Sequence, residues 1–233
     1  MAKAAEIVAE RWTPLVLREL LSGSVHFVDL RRGVPLMSPS LLSRRLKELE
    51  QAGVVIRRNG DGGRPEYNLT EAGKELWPFV EQLGKWGQRW ARSRIEEHDL
   101  DADLLMWDIH RNLVQERLPP DRTVVRFDFE GTVRAKRRWW LVIYQSQGDL
   151  CLLDPGYEVD LIVRTHLRTM TAVWMGDEPL LPSVRKGDVV IEGPAKLARA
   201  FPGWLGLSLF APVKRPSPSK TDTERPRTRS STL

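Results

Sequence analysis

The residues of this chain that could do chemistry are few and scattered. Four histidines, His26, His98, His110 and His166, fall in different stretches, and none stands at the i, i+4 spacing that turns two imidazoles toward one metal. The single cysteine, Cys151, has no second thiol to pair with and lies in an apolar run, where a thiol is usually buried and inert. Asp99, Asp101 and Asp103 alternate as in a calcium loop, but Leu104 stands where that loop needs glycine and His110 where it needs glutamate. There is no Gly-x-Ser-x-Gly nucleophile turn, phosphate loop or dinucleotide fingerprint. The sequence therefore points away from an enzyme, and calls for no cofactor and no metal.

Another chemistry has better support. In LMSPSLLSRRLKELEQAG, Ser38 is a good helix N-cap, Pro39 suits the first helical position, and Gly53 suits the C-terminal stop. Leu42, Leu46, Leu49 and Gly53 follow 4-3-4 spacing, so one side of this helix is core. Ser40, Arg44 and Lys47 fall on the opposite side, with Ser43 flanking. After it VVIRR, the turn cluster NGDGGRP and EYNLT read as a β-hairpin carrying Arg57, Arg58 and Arg64. A helix of this kind fits the major groove of double-stranded DNA, and a basic hairpin reaches the flanking backbone. The candidate DNA contacts are Ser38, Ser40, Ser43, Arg44, Lys47, Arg57, Arg58 and Arg64. The plain alternative is a solvated helix face; cap, spacing, hairpin and charge sign together favour the contact.

The elements that must position these residues precede and follow them. Residues 3–22 read as a helix interrupted near Thr13-Pro14, with Gly23 as its stop, and Phe27, Leu30 and Val34 suit a second short helix ended by Pro35. Three helices and a hairpin make the winged helix-turn-helix plan. A long helix from Thr70 to about Glu97 should follow, bent by Pro78. On it Leu76, Phe79, Leu83, Trp86 and Trp90 repeat at 3-4-3-4 spacing, a seam that predicts a homodimer interface. A two-fold dimer would present two recognition helices to a pseudo-palindromic operator.

This stretch resembles the HxlR family of transcriptional regulators. The resemblance covers about residues 8–92. It is strongest in the Trp12 to Gly23 helix, the Phe27-x-x-Leu30 pair, the Ser38 to Gly53 block and the Tyr67-Asn68-Leu69-Thr70 entry into the last helix. It implies a homodimeric repressor or activator. Family members often carry a cysteine before the first conserved helix; residues 1–11 here contain none, so the resemblance does not extend to thiol sensing.

Charge divides the chain the same way. The 233 residues carry a net charge of +5. Residues 1–95 hold 16 basic and 11 acidic residues, residues 96–213 hold 14 and 18, and residues 214–233 hold 6 and 2. A basic front and an acidic middle imply that only the front faces phosphate. The Pro-, Ser-, Thr- and Arg-rich tail at 214–233 is too polar to order itself and is expected to be disordered. The charged N-terminus lacks a secretory apolar core, and no stretch reaches the roughly 18 apolar residues of a membrane helix. The expectation is a cytoplasmic protein with no membrane insertion.

The middle reads as a second α+β domain, so the fold class is α+β throughout. Asp101 and Asp103 should start a helix running to Arg117. About five strands follow, largely in hairpins with covering helices: TVVRFDFEG, RWWLVIYQ, LCLLD after a QGD turn, EVDLIVRT and DVVIEG. HLRTMTAVWMGD and PAKLARAFPGWLG read as helices. The basic run Arg134, Lys136, Arg137 and Arg138 is a hairpin tip in water or an extra DNA contact. Residues 103–213 resemble the sterol-carrier-protein type domain, most clearly in Gly-Asp-Val-Val-Ile-Glu-Gly-Pro leading into the last helix. That resemblance implies an apolar pocket for a hydrophobic small-molecule effector. Trp139, Trp140, Tyr144, Met170, Trp174 and Trp204 are its candidates, with Met175 beside them, although core packing explains each singly. Arg126, Arg164 and Arg168 could anchor a carboxylate head or simply be solvated.

The reading is a DNA-binding and dimerisation domain at 1–95, a sterol-carrier-like domain at 96–213 and a basic tail at 214–233. The rival is a lipid carrier in which the winged domain serves mainly for dimerisation.

Overall fold

The computed structural model describes residues 1–60, 63–91 and 95–214. The tail expected to be disordered lies, beyond Lys214, outside the described residues, as does the wing-tip pair at 61–62. The architecture is α+β, with an N-terminal winged helix-turn-helix domain and a C-terminal sheet domain.

The N-terminal domain begins with α1 (Ala2–Val8), α2 (Thr13–Leu21), α3 (Phe27–Gly33) and α4 (Pro39–Gln51). The expected break between the first two helices falls at residues 9–12, just before Pro14, where Trp12 takes a left-handed φ of 78°. In α4, the Ser38 hydroxyl accepts from Leu41 N at 3.3 Å, Pro39 occupies the first turn, and Gly53 takes φ 72° just past the end. Its buried Leu42, Leu46 and Leu49 pack with Val16, Leu17 and Leu30. Strands β1 (Val55–Asn59) and β2 (Pro65–Leu69) form the antiparallel wing, with Arg57 opposite Tyr67 and Arg58 opposite Glu66. The segment before α3 adds one bridge, as Tyr67 N donates to Val25 O at 2.8 Å.

The single long helix expected from Thr70 is instead divided. α5 (Glu71–Lys74) ends after one turn, α6 (Trp77–Trp86) begins anew, and a π-helical turn spans Gly87–Ala91. Pro78 does not bend a continuous helix. It sits in the first turn of α6, where its missing N–H leaves no hydrogen bond unmade.

In the sheet domain α7 (Ala102–Arg111) is capped by Asp101, which accepts from Asp103 N at 2.8 Å and Leu104 N at 3.3 Å. It stops at Arg111 rather than Arg117; a separate 3₁₀ turn covers Gln115–Arg117. Strands β3 (Thr123–Glu130), β4 (Arg138–Tyr144), β5 (Gln147–Cys151), β6 (Leu161–His166) and β7 (Val189–Glu192) form one sheet in the order β5-β4-β3-β6-β7. β3 and β6 are parallel and all other pairs antiparallel. The turn expected at QGD falls one step earlier, on Gln145 and Ser146, both with positive φ as a two-residue hairpin demands. Gly148 is in the strand, where a Cβ would meet the Leu113 side chain at 2.6 Å, so its smallness serves packing rather than turning.

Helices α8 (Leu167–Trp174), α9 (Leu180–Lys186) and α10 (Ala195–Ala200) complete the domain. α9 is not among the sequence expectations; its Pro182 lies in the first turn, where proline is tolerated. Val125, Phe127 and Phe129 of β3 share one sheet face with Trp139, Leu141, Leu161 and Val163, and pack with Met106, Ile109, Phe201 and Trp204. The reverse face carries Arg126, Asp128 and Arg164. Among the described residues no helix is long and apolar enough to cross a membrane.

One close approach ties the N-terminal helices together. A Cβ on Gly33 would overlap the carboxyl carbon of Glu19. Gly33→Ala should therefore push a buried carboxylate out of place and lower the midpoint of thermal unfolding clearly. Gly87→Ala is the control, since nothing lies within 4 Å of its Cβ position. That control should move the midpoint little; equal effects would show that Gly33 is not a contact point.

Candidate nucleic-acid interface

α4 turns its leucines inward, which forces Ser40, Ser43, Arg44 and Lys47 outward, and all four are exposed. Arg44 lies 3.8 Å from Glu48 one turn on, a surface pair that leaves it free to reorient. Ser38 is exposed, but its hydroxyl already serves as the cap. Arg57, Arg58 and Arg64 are exposed on the wing. Arg57 and Arg58 are consecutive in β1 and so project to opposite faces. Arg45 is different: it is buried, donating to Glu48 at 2.6 Å and to Glu10 at 3.2 Å, so it fastens α4 to the segment after α1.

Several of the other charges singled out in the sequence are engaged within the protein. Lys136 contacts Asp103 and Asp101, so the turn before β4 is tied to the start of α7. That also assigns two of the three alternating aspartates to capping and ion pairing. Among the described residues no group of three His, Cys, Asp or Glu could hold a metal. Arg126 binds Asp128 through two contacts of 2.9 Å, Arg164 approaches Asp128 at 3.6 Å and also pairs with Glu192, and Arg168 donates to Ile95 O. Burial, with Asp149 adding to it, pushes the Cys151 thiol above its ordinary pKa, as suits an inert thiol.

The six aromatic and Met candidates for a pocket are dispersed. Trp139, Met170 and Trp204 belong to the core of the sheet domain, and Trp140 lies nearly buried on the reverse sheet face. Tyr144 is 56% exposed. Trp174 lines a cavity of about 770 Å³ between the two domains, and with Met170 a smaller one of about 390 Å³ beside α8 and α9.

A family model described as HxlR-like helix-turn-helix matches residues 7–95. The chain is 41% identical over 90 residues to the uncharacterized HTH-type transcriptional regulator YvaP of Bacillus subtilis, spanning 38% of this chain and 83% of YvaP. The chain belongs to the HxlR-like helix-turn-helix family. YkvN of the same organism is 32% identical over 98 residues, which is 41% of this chain and 83% of YkvN. The uncharacterized HTH-type transcriptional regulator Rv3095 of Mycobacterium tuberculosis is 39% identical over 92 residues, 39% of this chain and 58% of its own length. The HxlR-like region thus coincides with the capped helix and wing described above.

The joint between the HxlR-like domain and the sheet has no counterpart among the sequence expectations. Glu19 of α2 is fully buried. Arg18 donates to its Oε1 at 2.9 and 2.6 Å, while Arg111 and Trp107 of α7 donate to its Oε2 at 2.6 and 3.3 Å. Arg18 also donates to Gly33 O at 2.9 Å, and Arg32 lies 5.3 Å from the Trp107 ring centre. Asp108 contacts Arg111. Burial raises the Asp108 pKa from 3.8 to about 6; Arg111 and Arg18 pull it down, and Glu19 adds to the rise. The sequence signal is a lone glutamate inside an apolar helix, but its partners Trp107 and Arg111 lie 88 and 92 residues away.

A carboxyl with a raised native pKa binds its proton more tightly folded than unfolded. Its contribution to stability is therefore present below pH 4 and is lost as pH rises through about 6. Asp108→Asn should make the unfolding free energy less steeply falling between about pH 4 and about pH 6.5 than in the parent. Parallel curves from denaturant titrations would show that Asp108 does not titrate there.

Proposed function

We propose that this chain is an HxlR-type transcriptional regulator acting on double-stranded DNA in the cytoplasm. The observation that carries the reading is the outward face of α4, with Arg44 and Lys47 exposed opposite a buried leucine stripe and a basic wing beside it. Arg44 and Lys47 reach base edges or phosphates, Ser40 and Ser43 donate to phosphates, and Arg57, Arg58 and Arg64 contact the flanking backbone. Ser38 contributes through the cap, which points the helix N-terminus outward. The relatives are named as HTH-type transcriptional regulators, which are not enzymes.

The acting species is a homodimer on a pseudo-palindromic operator. α6 turns Val80 into the core and Gly84 onto Phe210 of the sheet domain, which leaves a third side. On that side Phe79 and Leu83 are 42% and 44% exposed, and Trp86 and Trp90 are each 59% exposed. Leu76 is half-buried and packs inward at its start. Four large apolar side chains in one exposed row are a stripe that a second copy would cover. The domains are assigned to 1–95 and 96–213, with 214–233 as a basic tail. The sheet domain is sterol-carrier-like, and the regulator responds to a hydrophobic effector. A pure lipid carrier is disfavoured because Trp139, Met170 and Trp204 fill the core that a carrier would hollow out.

Two sets of measurements test this. Selection from a random DNA pool should yield a palindrome with half-sites about one turn, roughly 34 Å, apart. Arg44→Ala with Lys47→Ala should weaken binding at least tenfold and reduce the salt slope by about 2. Arg45→Ala should instead lower the unfolding midpoint. Unchanged affinity in the double variant would sink the DNA reading. Leu83→Glu with Trp86→Glu should give a monomer by light scattering with weakened operator binding; a parent that is itself monomeric at micromolar concentration would refute the dimer.

A further inference from the structure

The effector is expected inside the sheet domain, yet three of its candidate residues there, Trp139, Met170 and Trp204, are core and the others are dispersed. The larger opening lies elsewhere. The cavity of about 770 Å³ is walled by both domains: Arg18, Leu21 and Trp77 from the HxlR-like side, and Leu104, Met175 and Phe210 from the sheet side. Its size is that of an ordinary small-molecule site. Its walls mix apolar and aromatic side chains with polar ones of both signs, and the polar groups in them are not placed at random.

Asp108 and Arg111 both line the cavity and both belong to the buried joint around Glu19. The Asp108 side chain is almost fully buried and its Oδ1 is paired with the Arg111 guanidinium, which leaves the carboxylate further lone pairs. Trp174 lines the same cavity, and its buried indole N–H has no partner among the described residues. A buried donor left unpaired in a residue that lines a cavity is costly unless something fills the gap.

We propose that this inter-domain cavity is the effector site, and that it takes an uncharged apolar ring compound whose hydroxyl donates to Asp108. A hydroxyl both donates and accepts, so it can serve the carboxylate and take the indole N–H. Arg18, Arg111 and Asp108 are already paired within the joint, so neither sign of ligand charge meets an uncompensated counter-charge there, and an ammonium head cannot accept from Trp174. The inference rests on the regulator reading and gives it a mechanism. A ligand bonded to Asp108 draws on the same carboxylate that Arg111 holds. Arg111 in turn holds Glu19, and Glu19 packs against Gly33 at the end of α3, the helix before the recognition helix. A ligand that binds the two arrangements of this joint unequally shifts DNA affinity.

The test uses the full chain and three matched probes: 1-hydroxypyrene, 1-pyrenecarboxylate and 1-pyrenemethylammonium, titrated by fluorescence and calorimetry at neutral pH. Hydroxypyrene should bind at least tenfold tighter than either charged probe. Asp108→Asn should cost about tenfold, and Trp174→Phe a smaller factor. Leu209→Trp, which fills the cavity from its exposed rim, should abolish uptake while leaving DNA affinity without ligand unchanged. Saturating hydroxypyrene should shift operator affinity several-fold in the parent and not in Leu209→Trp. The proposal is overturned if hydroxypyrene does not bind, if the three probes bind alike, or if Leu209→Trp still takes it up. Loss of DNA binding by the ligand-free parent would instead refute the regulator reading, and leaves the uptake measurement readable on its own.

Discussion

A carboxylate with no access to water sits where the two halves of this molecule meet, and its needs organise much of what surrounds it. Glu19 is held on one oxygen by Arg18 of its own helix and on the other by Arg111 and Trp107 of the sheet domain. A buried charge is costly, and the Coulomb gain from its partners repays that cost only when the geometry is good. The two guanidiniums are matched by two carboxylates, Glu19 and Asp108, so the joint is balanced. Its value is therefore less in net stability than in position. Removing any one partner leaves an uncompensated charge, so the orientation of α7 against α2 is fixed by chemistry rather than by apolar contact alone. Gly33 is part of the same constraint, because only a residue without a side chain lets α3 close over the carboxylate.

That joint also explains how α6 divides its surface. Val80 faces the winged core, while Trp77 and Gly84, two turns apart, face the sheet domain. What remains is the row from Phe79 to Trp90. Had the sheet domain docked on that side, the row would be covered and a second copy would find no apolar seam. The break after Lys74 matters here as well. The chain leaves the helix at Glu75 and Leu76 and restarts it at Trp77-Pro78, which sets the phase that turns the row outward.

The local parts of this arrangement were legible in the sequence. Ser38, Pro39 and Gly53 bound the recognition helix because capping chemistry acts within a few residues, and the alternation of Val125, Phe127 and Phe129 marks a strand with one buried face. The wing was legible from its glycine turn and flanking β-branched residues. Less legible were features in which a residue serves distant packing rather than its own neighbours. Gly148 reads as a turn but makes room for Leu113, and Pro78 reads as a bend within a helix but opens one. The aromatic residues offered as a pocket were indistinguishable from core because both uses ask for the same side chains. The joint itself was hidden, since nothing near Glu19 in sequence announces Arg111.

The division of charge gains a physical meaning from this geometry. The basic residues of α4 and the wing are exposed, whereas several of those of the sheet domain are engaged within it. Lys136 is on Asp101 and Asp103, and Arg126 and Arg164 are on Asp128. A domain with a net negative charge repels a polyanion, which would orient the molecule with α4 toward it over distances beyond any hydrogen bond. The two charge regimes touch at the joint around Glu19. There a basic residue from each domain, Arg18 and Arg111, meets on a single carboxylate, so a change in the charge or bonding of Asp108 is felt by both domains at once. A regulator needs such a shared group, because two domains linked only by apolar contact could turn against one another without either registering what the other holds.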